Sequence, residues 1–175
     1  MQKRELKRGS IWHQGMPKEW LFEPTGFEQK TLQPFKKSLV EKNVVGCKLF
    51  IPEFNRSSGI LGGQFIPDNS GKLTIKVGYI KNTSKSKLLN VGISDKYALT
   101  ILNEVIGLDQ YLMLIGSGTL TFNYGAWHTV DSNEFIFKLL AHFITRLLAL
   151  ELASKSNQEI ELLLKDSLRL VINNK

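Results

Sequence analysis

GAWHTVDSNEFIFK, residues 125–138, joins the end of a β-like run to the start of an apolar helix. The preceding TLTFNY (119–124) alternates as a strand does, and Gly125 marks a turn. Asp131, followed three residues later by Glu134, has the form of a capping box, with carboxylates at the electropositive start of a helix. The spacing predicts that helix over 132–153. Lys138, His142 and Arg146 recur at intervals of four in an otherwise Leu, Ile, Phe and Ala sequence, and form one polar stripe that reads as a solvated face. The stretch therefore predicts a strand, a turn carrying Trp127 and His128, and a helix that packs back on its own sheet.

Outward from it, VVGCKLFI (44–51), ILGGQFI (60–66), LTIKVGYI (73–80) and KLLNVGI (87–93) are β-like runs bounded by Gly, Pro, Asn or Ser. Sequential runs of this kind predict an antiparallel meander. SDKYALTILNEVIG (94–107) reads as a helix capped by Ser94 and stopped by Gly107, with Tyr97, Ala98, Ile101, Leu102 and Val105 on one face. After the polar break SKSNQ, the segment EIELLLKDSLRLVI predicts a further helix, although LRLVI also fits a strand. The order β-β-β-(β)-α-β-α plus a C-terminal helix implies an α+β two-layer sandwich, its sheet mostly antiparallel and its helices on one face. The main domain is expected over 31–154, with a helical segment over 155–175. Residues 1–30 hold Gly9, Gly15, Pro17, Pro24 and Gly26 and show no sustained period, so they read as an irregular extension docked through Trp12 and Trp20.

With 175 residues and 42% hydrophobic composition, the chain is long enough for one domain with a sizeable core. Its 23 Lys and Arg against 16 Asp and Glu give a formal charge of +7, which favours anionic partners such as RNA. Lys81, Lys85 and Lys87 form a second basic loop, which reads as a solubilising hairpin tip rather than a contact site. Cys47 is the single cysteine, which excludes an intrachain disulfide and fits a reducing compartment. The apolar stretch 134–153 is interrupted by charge, and MQKRELKRGSIW lacks the apolar core of a secretory signal. A cytoplasmic protein without a membrane partner is expected.

Several chemistries find no support in the sequence. SGILGG (58–63) lacks the lysine of a phosphate-binding loop, and His13, His128 and His142 lack metal-ligand spacing, so neither a metal nor a cofactor is implied. Ser132, His128 and Asp131 contain the residue types of a catalytic triad, but Asp131 and Ser132 are accounted for as helix-start residues. Acid–base chemistry at His128 has no second convergent group in the sequence.

GAWHTVDSNEFIFK resembles the G-S-Y-H-x-V-D-S-S-E-x-x-F-K signature of domain IV of elongation factor G, the translocation GTPase. Gly125, His128, Val130, Asp131, Ser132, Glu134, Phe137 and Lys138 match, and Trp127 stands in place of the tyrosine. RSSGILGGQF (56–65) is similar to the family's R-Q-S-G-G-R-G-Q-Y-G segment at Arg56, Ser58, Gly59 and Gly62, with Leu61 replacing the second arginine. Gly92 and Tyr97 fall near the family's G-G-x-x-P-x-E-Y helix start, whose proline is missing from Ser94–Lys96. The resemblance covers about residues 31–154. It carries no GTPase motif, so nothing driven by GTP hydrolysis is implied.

In that family the two loops meet at the tip of domain IV and enter the decoding centre beside RNA. The resemblance implies an RNA-binding tip formed by Arg56, Ser57, Ser58 and Gly59 together with Gly125, Ala126, Trp127 and His128, with ribosomal or other structured RNA as the partner. Arg56 suits phosphate, and Trp127 either stacks on a base or folds under the strand end as a core aromatic. Two other functions remain open at this point: a protein-interaction or assembly module on the same fold, and an enzyme using His128.

Overall fold

Strand β4 (Asn43–Ile51) buries Val45, Cys47, Leu49 and Ile51 on one side and turns Lys48 and Phe50 outward on the other. That alternation is what a sheet covered on one face requires. In a computed structural model, which describes residues 1–81, 88–150 and 152–173, β4 lies within an eight-stranded sheet. The other strands are β1 (Gln2–Leu6), β2 (Gly9–His13), β3 (Gly26–Leu32), β5 (Ser57–Pro67), β6 (Leu73–Tyr79), β7 (Leu89–Val91) and β8 (Gly118–His128). Their order is β1-β2-β4-β5-β8-β6-β3, and β7 pairs with β8 beyond the end of β6. Only the β6–β8 pair is parallel among the described strands.

Helices α1 (Asp95–Ile106), α2 (Asp109–Ile115) and α3 (Glu134–Ala149) form the second layer, and α4 (Asn157–Asn173) packs on α3. The fold is thus an α+β sandwich with a mostly antiparallel sheet. α3 lies over β4 and β5, and α1 lies over β6 and β3. The expected inward face of α1 is the observed one, Tyr97, Ala98, Ile101, Leu102 and Val105. Tyr97 stacks on Phe137 of α3 with ring centroids 4.4 Å apart, fixing the two helices against each other. α2 is an addition to the expected order, and 167–172 is helix rather than strand.

Residues 1–30 are not an irregular extension. They supply β1, β2 and most of β3, and β1–β2 continues the sheet beyond β4 through the register Ile11↔Cys47. The polar sequence of β1 is that of an edge strand, whose solvent side takes charge. Between β2 and β3 the chain crosses the sheet face opposite the helices. There Met16 and Trp12 pack with Ile60 and Ala126, and the Phe22 amide donates to the Asn123 carbonyl. Gly46 and Gly62 face each other across β4 and β5 beneath this crossing. A Cβ at either would lie 2.3 Å or 2.4 Å from the Met16 sulfur, so a side chain at either position requires Met16 to move.

The stripe Lys138, His142 and Arg146 is likewise not solvated. His142 and Arg146 are buried, because α1 and α4 cover that side of α3. Glu104 of α1 receives His142 Nδ1 at 2.6 Å and Lys138 Nζ at 3.7 Å. Arg146 reaches Asp166 and Ser167 of α4, each at 2.9 Å. Buried charge of this kind is tolerated only when paired, and here it fixes how α1 and α4 seat on α3.

Candidate nucleic-acid interface

The two segments singled out in the sequence meet. β5 and β8 pair antiparallel with Ile60 opposite Ala126, so the turn entering β5 and the loop leaving β8 emerge at one end of the sheet. The Ser58 amide donates to the Asp131 carbonyl at 2.8 Å, and Asn133 Nδ2 donates to Ser57 Oγ at 2.7 Å. Ser132 Oγ donates to the Ser58 carbonyl at 2.6 Å and accepts from the His128 amide at 2.8 Å. Tyr97 adds a 2.9 Å bond to the Ser132 carbonyl from beneath. The end is therefore tied to both layers.

What it displays differs from expectation. Gly125, Ala126, Trp127 and His128 lie within β8, and Ser57, Ser58 and Gly59 lie within β5, rather than on projecting loops. Ser57, Gly59, Gly125, Ala126 and Trp127 are buried, and Ser58 and His128 are half-buried. The Trp127 indole is 6% exposed and meets Tyr97 edge-on, with Lys96 Nζ 5.5 Å from the ring centre. It is a core aromatic and is not available to stack on a base. The cause is a register shift at Gly62/Gly63: Gly62 pairs with Tyr124 and Gly63 with Phe122, leaving Asn123 as an extra residue. A bulge reverses the strand's alternation. Beyond it Gly125 and Trp127 face the helices, while Tyr124, Ala126 and His128 face the open side.

The capping box is also corrected. Asn133 is the N-cap of α3, its side chain accepting from the Ile136 amide at 3.0 Å, and the helix begins at Glu134. Asp131 and Ser132 serve the contact with Ser58 instead. The exposed groups at this end include Glu53, Asn55 and Arg56 before β5, Thr129 and Val130 after β8, and Leu88 beside Thr129. Asn55 and Arg56 both adopt left-handed backbone, φ 50° and 53°, uncommon for arginine. The turn is held by Ser57, whose hydroxyl and amide both donate to the Phe54 carbonyl, and Phe54 stacks on Phe135 with centroids 4.6 Å apart. The Arg56 guanidinium forms no ion pair or hydrogen bond among the described residues. Arg8, from the β1–β2 turn, is paired with Glu53. Lys81 is exposed, and Lys85 and Lys87 lie outside the described residues.

His128 is 27% exposed and holds the loop rather than projecting from it. Its Nδ1 faces the amides of Val130 and Asp131 at 3.4 Å and 3.3 Å and the Asp131 carboxylate at 3.4 Å. On the open side, the ring borders a cleft of about 290 Å³ floored by Ile60 and Ala126 and walled by Trp20, Lys48, Phe50, Ser58 and Leu89. The sequence reading did not find this cleft. Its one local signal is Phe50, an exposed aromatic on the outward side of an alternating strand.

Among the described residues no group of three or more His, Cys, Asp or Glu is placed to hold a metal ion, and burial pushes the Cys47 thiol well up. No single helix among the described residues is long and apolar enough to cross a membrane; α1 and α2 reach that length and composition together, with an 81° bend between them. No protein-family model and no curated protein matches the chain.

Proposed function

We propose that this chain is a non-enzymatic, cytoplasmic RNA-binding protein related to the translation factors whose domain IV it resembles, and that it engages ribosomal or other structured RNA through the end where β5 and β8 meet. The observation that carries this reading is the convergence of the two matched segments through Ser58, Asp131 and Ser132, with an unpaired Arg56 at the outermost turn. An arginine held in an uncommon backbone conformation is a reason to look for a role in binding. The formal charge of +7 supports an anionic partner. The contact surface is Arg56 and its neighbours, with His128 and Ser132 positioning the loop beside it.

Two apolar surfaces that a protein-interaction module could use, Trp12 and the inward side of α4, are packed within the chain, while Trp20 is half-buried and borders the cleft. Trp12 is buried against Met16, and α4 turns Ile160, Leu164 and Val171 inward against α3. A cleft does border His128, as an enzyme would need, yet its lining offers only Lys48 and Ser58 as further polar side chains. That composition supports binding over catalysis.

Co-sedimentation with ribosomes at low salt tests the proposal. The parent protein is expected in the ribosomal pellet, with less of Arg56→Ala and, through loop positioning, less of His128→Ala. Absence of the parent from the pellet, or indifference to both changes, overturns it.

A further inference from the structure

The open sheet face beside the tip carries a feature that the family resemblance does not contain. β4, β5 and β8 present Phe50, Ile60 and Ala126 on one side of the sheet, and Trp20 and Leu89 line the same cleft. Phe50 is 41% exposed and Leu89 is 49% exposed, so the apolar surface is reachable from solvent. The cleft, about 290 Å³, lies just below the range of drug-sized ligand sites, a size for a single planar ring system rather than a peptide side chain cluster or a helix.

Lys48 is the one formally charged residue of the lining, which holds no carboxylate. Glu5, on the same sheet face, is held by the Lys3 ammonium at 2.5 Å and the Ser10 hydroxyl at 2.6 Å, which keep its carboxyl below the usual range. Lys48 enters no ion pair among the described residues, although the Glu5 carboxylate attracts it electrostatically. Ser58, at the cleft wall, is two residues from Arg56. One chain of nucleotides can therefore meet cations at both ends of an aromatic, apolar surface. An open antiparallel sheet with exposed aromatics flanked by cations is a physical solution for holding unstacked bases, whose faces stack and whose phosphates pair.

We propose that this cleft binds one unstacked base of a single-stranded RNA, Phe50 stacking on it and Lys48 meeting its phosphate, while Arg56 takes a phosphate further along the strand. This rests on the RNA-binding reading above and adds to it a second contact and a preference for unpaired over duplex RNA.

The test is fluorescence anisotropy with a labelled ten-nucleotide oligoadenylate and the same strand annealed to oligouridylate. The single strand is expected to bind more tightly than the duplex. Phe50→Ala is expected to weaken it about five- to hundredfold, the loss of one stacked base. Phe50→Tyr is expected to retain binding and Phe50→Leu to lose it, since leucine keeps the apolar area without a π-face. Thermal unfolding of each variant checks that this half-exposed position leaves the fold intact. Full binding by Phe50→Leu overturns the stacking proposal in favour of a plain apolar contact, such as one with a protein. Sensitivity to Arg56→Ala with indifference to Phe50→Ala overturns the cleft and leaves the tip reading standing. No binding by the parent protein to either RNA overturns the cleft proposal, while co-sedimentation with ribosomes decides the tip reading separately.

Discussion

Ser132 Oγ donates a 2.6 Å hydrogen bond to the carbonyl of Ser58, a residue 74 positions away, and this bond closes the end of the molecule. The same oxygen accepts from the His128 amide, so one buried hydroxyl serves two backbone groups. Ser132→Ala leaves both without that partner. A buried backbone group without a partner costs about 1–3 kcal/mol, and a loss of that size in urea unfolding is expected. A change under about 0.5 kcal/mol contradicts the clamp.

Arg56 offers a substitution that separates binding from folding. Its φ of 53° suits glycine, so Arg56→Gly relieves the turn while removing the guanidinium. Stability is expected to hold or to rise by up to about 1 kcal/mol, while affinity for RNA falls. Loss of both together indicates that Arg56 acts only through the fold.

The crossing over the open sheet face gives a second packing test. Gly46→Ala drives its new methyl into Met16, and a cost of about 1–3 kcal/mol is expected. Met16→Ala frees that space, so the double variant costs less than the sum of the two single ones. Gly62→Ala recovers less, because its Cβ also meets Tyr124 Cβ at 2.9 Å. Strict additivity at Gly46 argues against the packing.

Much of this fold is legible from local pattern, and the exceptions share a cause. α1, β4 and β6 follow from alternation or helical spacing because one face of each meets a single continuous core. β1 reads as part of an irregular extension because its Lys3 and Glu5 side faces water and only its pairing with β2 makes it a strand. The polarity of Lys138, His142 and Arg146 is visible, but the partners that bury it, Glu104 and Asp166, lie on other helices. At the site, the meeting of the two segments is legible from their resemblance to a family. The orientation of Trp127 is not, because it depends on one extra residue at Asn123, and a bulge shows only in the pairing with β5.

His13 links folding to pH. It is 2% exposed, its Nε2 has no hydrogen-bond partner, and burial, with Arg4 and the N-terminal ammonium adding to it, holds its pKa below the ordinary 6.5. The unfolded chain therefore takes up a proton first as pH falls. The stabilisation is complete above about 6.5 and is lost as pH drops from there toward the folded-state value. The thermal midpoint is expected to fall between pH 7 and pH 5 by more in the parent than in His13→Leu. Equal falls in the two proteins contradict a buried neutral imidazole.

The most direct test of the RNA-binding account is the affinity for purified small ribosomal subunits, measured by titration at several salt concentrations for the parent and for Arg56→Ala. Binding that weakens linearly on a log–log plot, with the variant weaker and its slope shallower by about one, is the predicted result. The contradicting result is an absence of binding at low salt, or a parent and variant with the same affinity and the same slope.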